Sequence, residues 1–416
     1  MIKVLKSNRT YELLFIIIVL FSFLLWVGGI FLEGQNGNQY NLFFRRTEDF
    51  LADFLNPIGY SSQRDPYNNT MYTGTYAKQQ PPLQYLLSYP FVRIITMGSY
   101  WAANDFRPMY YVSTFSIVLL LLLLLLYSFG FFLIMSAKKG VNIVRGGTAF
   151  AILFSAPMIF TIERCNSVIL VPFLCLAFLF FRNSKNALLR ELSILSLAIA
   201  TGLKLIPAIL GIILLYEKKW KMAIRAIIYG VMAVFLPFLF FKGGLGNISL
   251  MLRNMKDYME LFTYNEIGVS IRDLLMWISS VFGYKIPHVF GIVLVAFTTI
   301  GFLAGSFFAK KEWMRYLFLC LPLLSVPGHQ GLYCIIYLIP VVITFLNELH
   351  HDISDVIFIL GIIIAFSPYQ FAFLRQFSTF EIGMIFIYIF AIYQFLRILT
   401  KVIRNGSKFA FISISE

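Results

Sequence analysis

Apolar runs of about 20 residues recur along this chain, and nothing else constrains its fold as strongly. Leu13 to Leu32, Tyr110 to Met135 and His288 to Phe308 contain no acidic residue, lysine or arginine. A helix of that length crosses a hydrocarbon core of about 30 Å. Lipid offers the backbone no hydrogen bonds, so only helices or a closed barrel can span it. Barrel strands alternate apolar and polar residues, whereas Val118 to Leu126 is continuously apolar. Hydrophobic residues make up 59% of the chain and charged residues 13%, about half the charged share of a soluble domain. The sequence reads as an all-α, polytopic helical membrane protein, one integral domain over residues 1–416.

A net charge of +14 invites a nucleic-acid partner, but the basic residues sit in short turns between apolar runs. Lys138, Lys139 and Arg145 form one such turn; Arg182, Lys185 and Arg190 a second; Lys310, Lys311 and Arg315 another. This is the positive-inside pattern, with anionic membrane lipids as the partners of the excess charge. No nucleic acid is expected. The pattern places both termini in the cytoplasm and gives about twelve spans of a plasma-membrane protein. Met1 to Leu32 has the basic start of a signal peptide. Its apolar run exceeds an h-region of about 7–15 residues and lacks an A-x-A-like site, so it reads as an uncleaved first helix.

Two long segments fall outside under this topology, residues 33–108 and 242–287. The first turns amphipathic and aromatic from Gln84 to Asn104, as in helices lying in the membrane interface. Leu192 to Tyr216 is long enough for one span, but that would put the neighbouring basic turns on opposite faces. It would also leave Lys204 in hydrocarbon, at about 2.5–3.5 kcal/mol. Two short helices meeting at Lys204 are expected instead. Pro327 to Gly331 similarly divides Tyr316 to Leu346 into two spans with the break outside.

Unusual polar residues gather on that outer side: Asp49, Asp53, Arg164, Lys204, Arg253, Arg272 and His329. A carboxylate there can take a proton from a hydroxyl. Arginine and lysine neutralise phosphate and donate directed hydrogen bonds to it. Each also has a plainer reading. Asp49 could cap a helix, Lys204 could snorkel to headgroups, Arg164 could pair with Glu163, and Arg253 and Arg272 could lie on a solvated loop. His329, beside Gln330, could be a hydrogen-bonded turn histidine. Arg45 and Arg46 read as a charged loop face. Tyr60, Tyr67 and Tyr264 are candidates to stack on sugar rings. Cys165, Cys175, Cys320 and Cys334 have neither zinc-site nor disulfide spacing, and His350-His351-Asp352 reads as a polar turn. No metal or cofactor is expected.

The stretch D-F-L-A-D-F-L-N-P-I-G-Y-S-S-Q-R-D-P-Y from Asp49 to Tyr67, followed by Q-P-P-L, resembles the first outside loop of family-87 glycosyltransferases of the C-type superfamily. Glu163 to Asn166 is similar to the family's E-R-G-N, with Cys165 in place of glycine. Leu203 to Pro207 with the following K-K-W-K is similar to its Lys-x-x-Pro hairpin and basic turn. Ser325 to Tyr333 looks like its later outside turn. Gln80 stands where tyrosine is common.

The resemblance implies an integral membrane hexosyltransferase that takes sugar from a polyprenyl-phosphate donor outside the membrane. The acceptor would be a cell-envelope glycan or glycolipid, and the single-step chemistry would invert the sugar. It implies Asp49 as the general base, with Asp53 second. Lys204, Arg164, His329, Arg253, Arg272, Tyr67 and Gln330 would contact substrate. A polysaccharide polymerase or ligase would instead use a lipid-diphosphate oligosaccharide. A transporter would place polar residues deep in several helices around a repeat, and no repeat is evident.

Overall fold

The computed structural model describes residues 8–44, 50–68, 77–93, 112–165, 169–261, 268–284, 286–326, 331–369 and 379–404. Helices run through all of it. The first group is α1 (Asn8–Glu33), α2 (Asn38–Phe44), α3 (Ala52–Ser61), α4 (Pro82–Ser88), α5 (Ser113–Ala137), α6 (Asn142–Leu153) and α7 (Ala156–Arg164). Next come α8 (Leu170–Phe181), α9 (Ala187–Leu203), α10 (Ile212–Tyr216), α11 (Trp220–Phe235), α12 (Asn247–Leu261) and α13 (Ile271–Val281). The chain closes with α14 (His288–Phe308), α15 (Glu312–Ser325), α16 (Ile339–Asn347), α17 (Asp355–Phe366) and α18 (Thr379–Arg404).

Among the described residues five helices are long and apolar enough to cross a membrane, within α1, α5, α11 with its extension to Phe240, α14 and α18. A sixth span arises if α6 and α7, bent by 48°, count as one. Their outward faces carry bare hydrocarbon: Leu24 is 65% exposed, Leu125 68% and Phe297 71%. In water such faces would drive aggregation; in lipid they are solvated. The protein is membrane-embedded.

Shorter helices fill the centre. α15 and α16 are buried along nearly their whole length. Trp313 packs on Phe345, Phe358 and Phe390 with ring centroids 4.9, 5.1 and 5.8 Å away. α9 stops at Leu203 because Lys204 is extended, with φ −145° and ψ 121°. A 3-10 turn from Ile206 to Gly211 then leads into α10. The chain folds back on α9 there: a Cβ at Gly211 would lie 3.6 Å from Leu197. The apolar run is therefore a hairpin with Lys204 at its tip.

At the opposite end from that tip, two of the basic residues from the short turns are buried in ion pairs. Lys138 pairs with Glu12 and also donates to the Leu346 carbonyl at 2.9 Å. Arg182 pairs with Glu217 at 2.6 Å and donates to the Tyr316 hydroxyl at 2.8 Å. His351 is also buried, its Nδ1 3.4 Å from Asp355. Among the described residues no group of three or more His, Cys, Asp or Glu is arranged to hold a metal ion.

The helices α17 and α18 cross closely. A Cβ at Gly383 would stand 2.6 Å from the Ala365 amide nitrogen and 2.7 Å from the Gly361 oxygen. Small residues let membrane helices approach this closely. Gly383→Ala is expected to lower the thermal midpoint of the purified protein, since overpacking costs about 1–3 kcal/mol. Gly230→Ala, where a Cβ meets nothing within 4 Å, should leave it unchanged. Equal midpoints for the two variants would contradict the crossing.

Candidate functional site

Three chain breaks meet at the Lys204 end of the bundle. The start of α3, the end of α7 and the α9 hairpin tip each bring one charged side chain. Asp53 lies in the first turn of α3, where the helix dipole favours a carboxylate. Its Oδ1 accepts from Arg164 Nη2 at 3.2 Å, and its Oδ2 from Arg164 Nε at 3.5 Å. The two-pronged approach fixes the direction of the carboxylate. Both side chains remain about a quarter exposed, at 23% for Asp53 and 28% for Arg164.

Backbone strain marks the junction. Leu51, just before α3, has φ 60°, and Cys165, just after α7, has φ 46°. Left-handed backbone costs a non-glycine residue roughly 1–2 kcal/mol. The Leu51 amide donates to the Glu163 carbonyl at 2.8 Å, which ties the two strained turns together and sets Asp53 beside Arg164. The glycine of the resembled motif would adopt the Cys165 conformation without that cost.

Lys204 Nζ donates to Gln80 Oε1 at 2.6 Å and lies within electrostatic range of Asp53 and Cys334. Gln80 is held by its own backbone. Its carbonyl accepts from the Tyr67 hydroxyl at 3.0 Å, and its amide donates to the Tyr85 hydroxyl at 3.4 Å. Gly202, just before the tip, admits Leu83 of α4, whose Cδ2 would stand 2.6 Å from a Cβ there. Tyr333 completes the cluster, close enough to Asp53, Arg164 and Tyr258 to interact electrostatically.

The second loop clamps the first. Asn254 Nδ2 on α12 donates to the carbonyls of Tyr67 at 3.2 Å and Lys78 at 3.1 Å. Lys78 is fully buried, with its ammonium 4.5 Å from the centre of the Tyr60 ring. Burial lowers its pKa to about 8. Tyr67 is buried between Tyr85 and Phe238, with ring centroids 5.4 and 5.7 Å away, and burial pushes its phenol up.

The candidate residues therefore separate. Asp53, Arg164 and Lys204 come together. Tyr67 sits in the packed core of the first loop and reaches the site through Gln80. Arg253 lies on the exposed face of α12, one residue from the inward Asn254. Arg272 is buried against Asp273, 3.0 Å from its Oδ1. Asp49, His329 and Gln330 lie outside the described residues, as do Arg45, Arg46 and Tyr264. Sequence reasoning passed over Asn254 and Tyr258, which look like ordinary residues of an amphipathic helix. It also passed over Lys78 and Tyr333, whose only signal was nearness to a motif turn.

A cavity of about 370 Å³ opens beside Asp53, between α3, α4 and α5. Leucines and phenylalanines line most of it, including Leu122, Leu126 and Phe129; Asp53, Gln84 and Ser88 are its polar residues. The site thus joins a carboxylate and two cations to a hydrocarbon-lined space, which suits a reaction on an amphiphile.

No curated protein and no solved structure matches the chain. The sequence model of glycosyltransferase family 87 matches residues 81–326. That segment takes in Gln84, Arg164, Lys204 and the second loop, and begins after Asp49 and Asp53. The match covers more than half of the 416 residues, and the chain belongs to glycosyltransferase family 87.

Proposed function

We propose that this membrane glycosyltransferase moves a sugar from a polyprenyl-phosphate donor to a cell-envelope glycan or glycolipid on the extracytoplasmic side of the plasma membrane. One observation carries the reading: Asp53, Arg164 and Lys204 converge beside an apolar cavity at one end of the bundle. In this reading the short helices α8, α9, 206–216, α15, 332–347 and α17 join the five long ones and the bent pair to make twelve passes, with both termini cytoplasmic.

The chemistry follows from the groups. A carboxylate takes the proton of an acceptor hydroxyl as its oxygen bonds to the sugar's C1. The bond from C1 to the phosphate oxygen breaks, and the phosphate leaves with the electron pair. Lys204 and Arg164 neutralise the charge that develops there. A single displacement inverts C1. Asp49 is the proposed base, because Asp53 is already engaged by Arg164 and better suited to orient a hydroxyl. His329 and Gln330, shortly before Tyr333 in the sequence, are proposed to contact substrate. Arg253, Arg272 and Tyr67 would act by shaping the second loop and the Gln80 support.

Asp49→Asn is expected to insert normally and to transfer at least tenfold more slowly, as general base catalysis is worth about 10²–10⁴. Purified protein incubated with a panel of polyprenyl-phosphate sugars, with released lipid phosphate as the readout, checks this. Near-native turnover would reject Asp49 as the base. Lys204→Ala should keep the fold and weaken donor binding by roughly 10- to 100-fold, the loss of one charged hydrogen bond of about 1.5–3 kcal/mol. Unchanged donor affinity would remove Lys204 from the phosphate site.

A further inference from the structure

The cavity beside Asp53 differs in chemistry from the cations next to it. Its wall follows α5 from Leu122 to Phe129, about 14–24 Å along the helix from Ser113 at 1.5 Å per residue. That stretch of wall lies from about the middle of a hydrocarbon layer of about 30 Å inward, away from the loop end. Its edge is open to lipid: Leu87 is 48% exposed and Leu125 68%, and both line it.

Its polar end offers acceptors. Asp53 is the one charged residue among the described lining residues, and neither Arg164 nor Lys204 belongs to the lining. Gln84 lies beside it, only 4% exposed, and its Oε1 is buried without a hydrogen-bond partner. A buried carbonyl oxygen left unmatched is unfavourable, so a ligand that donates to it would gain binding from that site. The oxygens of a phosphodiester only accept, so they leave the Gln84 oxygen unmatched. A sugar hydroxyl donates to both groups.

Resting on the transferase reading above, we propose that this groove holds the hydrocarbon chain of the acceptor, a lipid with an uncharged, hydroxyl-bearing head. The donor's phosphate is held by Lys204 and Arg164, outside the groove. The acceptor is therefore a glycolipid, not a free glycan. Its head hydroxyls meet Asp53 and Gln84, while its chain lies along Leu122, Leu126 and Phe129. The surrounding bilayer is as apolar as the groove, so contacts to the head rather than chain length set the preference for this lipid.

Photolabelling tests this on the full chain in phosphatidylcholine nanodiscs, with two probes of equal chain length carrying a diazirine in the chain. One is a dodecyl glucoside, the other dodecyl phosphate. The glucoside is expected to label peptides from α4 and α5, and Leu122→Trp or Leu87→Trp should each reduce that labelling at least fivefold. Gln84→Leu should reduce it as well, and the phosphate probe should not label these peptides above its background elsewhere. Two lipid-facing or groove-edge variants guard against a folding defect in either one. Stronger labelling of the groove by the phosphate probe would assign it to the donor and overturn the proposal. Equal labelling by both probes, insensitive to Gln84→Leu, would reduce the groove to a site for bulk lipid and overturn it too. Labelling reads occupancy, not turnover, so this outcome stays distinct from failure to use a polyprenyl-phosphate sugar.

Discussion

Hydrocarbon cannot hydrogen-bond a peptide group or solvate an ammonium, and that constraint shapes the centre of this protein. The run containing Lys204 is apolar enough to span as one helix. It folds instead into a hairpin, with the lysine in extended backbone at the tip. The break places Nζ against Gln80 and near Asp53. The same residue that would destabilise a continuous helix is one of the two basic side chains gathered at the candidate site. Fold and chemistry share one cause.

The rest of the site depends on how firmly that tip is met. Asp53 reaches it because Leu51 and Cys165 accept left-handed backbone and are joined through the Glu163 carbonyl. Gln80 reaches it because two buried tyrosines hold its amide and carbonyl. Asn254 ties that tyrosine layer to the second loop. Buried polar groups of this kind are costly unless fully matched, so the network specifies one loop arrangement over others. At the other end of the bundle, Lys138 and Arg182 are matched in the same manner by Glu12 and Glu217.

Much of this was legible in the residues, and the parts that were not have physical reasons. Apolar length announced the membrane helices, and the cost of Lys204 in lipid announced the hairpin. Arg164 was visible as a charge at a helix mouth, but its partner Asp53 lies 111 residues away, and pairing at that distance has no local signature. Arg253 and Asn254 are adjacent on α12; which one faces inward depends on where the first loop packs. Tyr67 looked like a sugar platform because exposed aromatics stack on sugars, but its phenol is consumed by Gln80. Arg182 and Lys138 read only as topology charges, because a positive-inside count does not distinguish a buried pair from a free side chain. The Cys165 substitution looked like a local departure from the resembled glycine; its backbone angle shows what the glycine is for.

The account depends on Asp53 and Lys204 sharing one aqueous vestibule on the proposed outer side. In a background with the four native cysteines replaced, Asp53→Cys and Lys204→Cys would each be treated in intact cells with a small, membrane-impermeant methanethiosulfonate. Both positions are predicted to react from outside, and each to be protected by added polyprenyl-phosphate sugar. Reaction of the two positions from opposite compartments would contradict the account.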